Sequence, residues 1–169
     1  MLISEETYNK LNELLTESFK LNHLMDNLVY QIDYEAYPNI AKIVHESYAH
    51  VWPAFADNIS DFMIRLNAKP IRNNFTAQYT DHNGDLQGIF KDITRYTEEY
   101  RGKVLETLDV AEMQDDAETK IFLEDYLLKI TPYRKQANLW ATFAERYVDN
   151  YKNFNIHFEK LTTAIPIVE

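Results

Sequence analysis

The sequence predicts an all-α protein: an antiparallel four-helix bundle with a long crossover between helices 2 and 3. Apolar residues recur at three- and four-residue steps along four long stretches, which is the helical period. Only three of the 169 residues are Gly, far below the average of about 7%. No Asn-Gly or Asp-Gly dipeptide stands between alternating apolar runs, so no hairpin is signalled.

The first helix is expected from Glu5 to Tyr34, with Leu11, Leu14, Leu15, Leu21, Met25, Leu28 and Ile32 on one stripe. Ser4 supplies its cap and Glu5 and Glu6 its first-turn acid. Pro38 closes the connection, and Asn39 is expected to cap a second helix along Ile40, Val44, Tyr48, Val51, Phe55, Ile59, Phe62 and Leu66. From Ile71 to Asp85 the period fails amid Asn, Asp and Thr, as a crossover requires. A third helix follows Ile89, Phe90, Ile93, Tyr96, Tyr100, Val104, Leu108 and Ala111. The fourth opens on Asp115 or Asp116 and uses Phe122, Tyr126, Ile130, Ala137, Trp140, Ala141 and Ala144, with Pro132 expected to kink or split it. Tyr151, Phe154 and Phe158 continue a helical pattern towards Leu161, before Pro166. Without repeats or low-complexity segments, residues 1–169 are read as a single domain.

Acidic residues outnumber basic ones 27 to 17, and a net charge of -10 disfavours phosphate backbones. The absence of Cys removes disulfides, thiolate metal sites and a cysteine nucleophile, and fits a cytoplasmic setting. No window approaches the roughly 20 apolar residues of a membrane span, and no signal-peptide pattern opens the chain, so a soluble protein with no membrane partner is expected. A nucleophile elbow, a P-loop and a dinucleotide fingerprint are all missing. The 12 Tyr and 9 Phe exceed what one small core requires, so Trp52, Tyr151 and Phe154 are expected between subunits.

What chemistry remains is metal binding. Asp57 and Asp61 stand four apart on one helical face among Phe55, Ile59, Phe62 and Met63, as oxygen ligands for a divalent ion would; the alternative is a solvated acidic face. His45, Glu46 and His50 lie earlier on the same helix and His23 on the first, and imidazoles there suit iron or zinc. Glu46 and His50 are four apart rather than the three of a Glu-x-x-His motif, so a self-contained di-iron site is not expected. His23 and His50 are read as surface or interface histidines.

Three segments carry a family resemblance: DNISDFMIRLNAKPI (Asp57 to Ile71), the Tyr96 to Leu127 stretch with its acidic break, and KQANLWATF (Lys135 to Phe143). They resemble Dps proteins, the starvation-induced mini-ferritins of the ferritin-like superfamily. The resemblance implies a twelve-subunit hollow homo-oligomer that takes up ferrous iron, oxidises it with peroxide and stores it. Its ferroxidase sites are shared across two-fold interfaces, with two histidines from one subunit and an acidic pair from the other. It places Asp57 and Asp61 at the acidic pair, His45 at the second histidine and Asp33 at the first, with a deletion near Pro53; an ungapped alignment puts Lys42 in place of His45. It puts Asp115, Asp116 and Glu118 at a three-fold cation pore, with helix capping as the alternative. DNA binding belongs to the family too, but a chain of net charge -10 without a basic tail opposes it. The reading is an iron-binding, iron-storing mini-ferritin with a ferroxidase site. The alternatives are a non-catalytic shell or DNA-condensing protein with a degenerate site, and a bundle that holds another metal.

Overall fold

A computed structural model describes residues 1–163 and 165, and among them every regular element is helical. Helix α1 is Glu5–Tyr34, α2 Pro38–Val44, α3 Val51–Arg65, α4 Leu86–Met113, α5 Ala117–Arg146 and α6 Tyr151–His157; a π-helical turn, His45–Ala49, joins α2 to α3 in one run. No helix among the described residues is long and apolar enough to cross a membrane.

Contacts at the chain ends fix the directions. Leu2 N–H donates to the Leu66 carbonyl at 2.9 Å, so α1 starts where α3 stops. Ser4 meets Asp116 in the α4–α5 turn, so α1 also starts where α4 stops. With α3 and α4 pointing the same way, the chain between them must traverse the whole bundle. It does so along α1, whose buried polar residues receive it: Asn12 Oδ1 accepts from Ile71 N–H at 2.8 Å and Thr16 Oγ1 from Asn73 N–H at 3.0 Å. Gln31 pairs with both His82 N–H (2.9 Å) and the Thr80 carbonyl (2.8 Å). A loop without secondary structure of its own thereby has its backbone groups satisfied by side chains.

Helix starts are capped from a distance. The Asp116 carboxylate accepts from Ser4 N–H at 3.3 Å, Ser4 Oγ at 3.0 Å and Thr7 Oγ1, placing negative charge at the positive end of α1. Asn39 does not cap α2; Pro38 is already its first residue, and Asn155 Oδ1 of α6 accepts from the Asn39 and Ile40 N–H groups at 3.0 and 3.1 Å. Tyr151 lies at the start of α4, donating to Asp85 and accepting from Gln87 N–H. Pro132 does not split α5, which runs through it; the carbonyl it leaves without a helical donor belongs to exposed Leu128. The tail forms a separate helix, α6, after a break at residues 147–150, and Pro166 lies outside the described residues.

The aromatic surplus is used inside the subunit. Trp52 and Phe154, expected between subunits, are both 0% exposed. Trp52 packs against Tyr100 (5.4 Å), Phe55 (5.5 Å) and Tyr133 (5.7 Å), and Phe154 against Phe90 and Phe158. Ring hydroxyls are paired: Tyr100 bonds to Ser18 at 2.6 Å and to Tyr126, and Tyr48 to Thr97 at 2.7 Å.

Burial pushes the Tyr100 phenol up to about 12 from about 10, and raises Tyr48 and Tyr126 still more clearly. The unfolded chain then loses these protons first, so stability is complete below about pH 10 and falls as pH rises from there. Thermal midpoints measured from about pH 8 to about pH 11.5 are expected to stay level and then drop, less steeply in Tyr126→Phe; a level profile throughout would contradict the buried phenols. The cap supplied to α1 is tested separately. Asp116→Ala is expected to cost about 1–2 kcal/mol in urea unfolding, and an unchanged midpoint would remove the capping role.

Candidate metal centre

The run from α2 into α3 carries one residue more than an α-helix of its packing would hold. Ile40, Val44, Tyr48 and Trp52 are all fully buried, three successive steps of four residues. On an ideal α-helix such steps drift by about 120° in total, because 3.6 residues make a turn. The wider π turn takes that drift back. It also moves the inward position from Val51, where the simple period puts it, to Trp52. Pro53 then falls in the first turn of α3, where its missing N–H is least costly.

The turn has a second effect. Residues five apart sit about 1.4 turns apart on an α-helix and face different ways. Across the π turn His50 N–H donates to the His45 carbonyl at 3.3 Å, which brings the two residues to one face, and their rings meet edge-on at 4.1 Å between centroids. Asp26 of α1 faces both: its Oδ1 lies 4.0 Å from His45 Nε2 and 3.7 Å from His50 Nε2. Those distances are too long for hydrogen bonds. They suit an intervening ion, bonded to nitrogen and oxygen at about 2.0–2.2 Å. All three donor atoms lie within 4.8 Å of one another.

Asp26 Oδ1 is itself buried and has no hydrogen-bond partner. A buried, unpaired carboxylate oxygen is costly unless a cation neutralises it, so the donor set fits a divalent ion. The site opens outward, with the three side chains 21%, 40% and 53% exposed for Asp26, His45 and His50. Two imidazoles and one carboxylate with open positions can hold iron, cobalt or zinc.

Of the expected ligands, only His45 joins this group. Asp57 and Asp61 lie on the exposed face of α3, and Asp33 is exposed seven residues beyond Asp26, about 10 Å along α1. His50, read as a surface or interface histidine, stands in the cluster. His23 packs edge-on to Phe75 at 5.5 Å, and Glu46 is exposed. Asp115 and Glu118 are exposed at the α4–α5 turn, while Asp116 is engaged with Ser4 and Thr7. Sequence reasoning missed Asp26. The available signal was Pro53, three residues past His50 inside a periodic run, which marks a helical irregularity where function often sits.

The bundle interior does not fit a di-iron centre. Such centres take inward Glu residues from two helices and Glu-x-x-His from the other two. Here Ser18, Trp52, Phe55, Tyr100 and Tyr126 point inward, and among the described residues no Asp or Glu is buried. Of the other buried side-chain atoms left without a partner among the described residues, Trp52 Nε1 and Gln136 Nε2 are donors that offer a cation nothing, and Thr119 Oγ1 is a lone neutral hydroxyl.

A four-helix bundle with a full-length crossover and metal donors on its helices defines a ferritin-type architecture. The chain belongs to the ferritin-like domain family, whose model matches residues 8–132. None of the curated proteins matches it. Among solved structures, a humanized archaeal ferritin superposes with a TM-score of 0.86 at 12% identity, over 96% of this chain and 98% of that one. An open pore ferritin from the hyperthermophilic archaeon Archaeoglobus fulgidus gives 0.84 at 12% identity, over 96% and 99%. An iron-soaked variant of the protein PmFTN gives 0.77 at 13%, over 88% and 92%. At this identity the likeness is one of fold.

If Asp26 is held in place for a cation, neutralising it relieves the metal-free protein. Asp26→Asn is expected to leave the metal-free thermal midpoint unchanged or raised while lowering Co2+ affinity about tenfold or more. A lower midpoint with unchanged affinity would make Asp26 structural.

Proposed function

We propose that the chain is a Dps-like mini-ferritin. It assembles as a homo-oligomeric shell of twelve copies, takes ferrous iron as its substrate at Asp26, His45 and His50, oxidises it with peroxide and stores the product. In the cytoplasm this would limit iron and peroxide damage. One observation carries the reading: the grouped donors lie on the outer face of α1 and the π turn, with an unpaired Asp26 oxygen aimed at two imidazoles. Two imidazoles and a carboxylate with open positions form the donor set of non-haem ferrous sites.

A half-exposed site can accept ligands from a second copy, and Asp57 and Asp61, exposed on α3, are the carboxylates such a copy would offer. Asp33 at the end of α1 is a further donor at that face. Assembly is supported by large apolar side chains left open on α4 and α5, Met113 at 80%, Leu128 at 73% and Ile121 at 66% exposed. Asp115 and Glu118, exposed beside the α4–α5 turn, would draw cations towards the shell. The second reading, a shell that holds iron without oxidising it, is favoured by an interior in which no Asp or Glu is buried among the described residues.

Ferrous iron and peroxide added to metal-free protein, followed by optical absorbance, test the reading. The expected result is rapid ferric formation that His45→Ala with His50→Ala abolishes, from a particle twelve times the 20.0 kDa chain in light scattering. Binding without oxidation would select the second reading, and unchanged oxidation in the double variant would refute the site.

A further inference from the structure

We infer that Asn22 is the positioning residue of this metal centre, holding α1 and the π turn at the separation at which Asp26 meets His45 and His50. The inference rests on the metal reading above and adds a residue that does not touch the ion. Asn22 precedes Asp26 by four residues on α1, so the two share one face of that helix. Its Nδ2 donates to the Ala49 carbonyl at 2.7 Å. Ala49 closes the π turn, between the two histidines, and is fully buried.

The bond has a particular origin. In an unbroken helix the Ala49 carbonyl would accept from the N–H of residue 53. Residue 53 is proline and has none. A buried carbonyl left empty is costly, and the donor that fills it comes from the helix that also carries the carboxylate. The missing helical hydrogen bond is thereby replaced by a tie between helices, one turn from the centre. His45 and His50 owe their mutual placement to the π turn, and Asp26 owes its placement against them to Asn22. Neither relation can be supplied by Asp26 itself, since its Oδ1 makes no hydrogen bond.

Pro53 allows stability to be separated from positioning. In Asn22→Ala the carbonyl loses its donor and the tie is lost. In Asn22→Ala with Pro53→Ala, the new N–H at 53 can fill the carbonyl, but the tie between helices stays absent. The full-length chain and both variants are titrated with Co2+, reading affinity and visible absorption, and thermal midpoints are taken on the metal-free proteins. Asn22→Ala is expected to lower the midpoint and to weaken Co2+ binding about tenfold. The double variant is expected to recover the midpoint while binding stays weak and the absorption stays altered. Unchanged affinity in Asn22→Ala, or affinity recovered together with the midpoint in the double variant, overturns the inference and leaves Asn22 a structural residue. Should Asn22→Ala alone not fold, the double variant decides. A wild-type chain that does not bind Co2+ overturns the metal reading itself, which is a different result from any of these.

Discussion

Close packing of aromatic rings at the bundle centre is the constraint from which the rest follows. Trp52, Phe55, Tyr100, Tyr126 and Tyr133 meet with ring centroids between 5.3 and 6.4 Å apart, the range in which edge-to-face and tilted pairs are favourable. The Tyr100 hydroxyl is bonded to Ser18 and Tyr126, and that of the neighbouring Tyr48 to Thr97. A core of this kind holds the helices with no ion, and among the described residues it leaves no carboxylate side chain buried inside to attract one. Metal chemistry, if the subunit performs any, has to be built on the outside of the helices.

A single surplus residue makes that outside site. Without the π turn, either Ile40 and Val44 or Trp52 and Phe55 would rotate out of the core, so the turn is fixed by packing on both sides of it. The same turn sets His45 edge-on against His50 and leaves the Ala49 carbonyl for a donor from α1. One local irregularity serves the core and the surface together, and neither use can be changed without the other. Its neighbour Pro53 is compatible with helix only because α3 starts afresh just before it.

Most of the fold is legible in the sequence because it depends on local signals. Apolar period, Ser4, Asp116, Pro38 and the scarcity of Gly place four helices and the crossover, and α1 has the bounds its sequence suggests. Interactions between distant residues are not legible. Asn155 capping α2, Tyr151 at the start of α4 and Asp26 facing a turn about twenty residues away leave no periodic trace. A constant period puts Val51 inward because it cannot encode a π turn. Half of the histidine pair is legible: His45 stands out, but a spacing of five argues against a shared face on an ordinary helix, which hides the role of His50.

The central claim is about place: an ion binds this subunit on its outer face, at Asp26, His45 and His50, and not between the four helices. Anomalous diffraction from crystals soaked in Co2+ locates the ion directly. The account predicts a peak within bonding distance of His45 Nε2, His50 Nε2 and Asp26 Oδ1. A peak inside the bundle beside Ser18, Tyr100 and Tyr126, or no peak at the three donors, would contradict it.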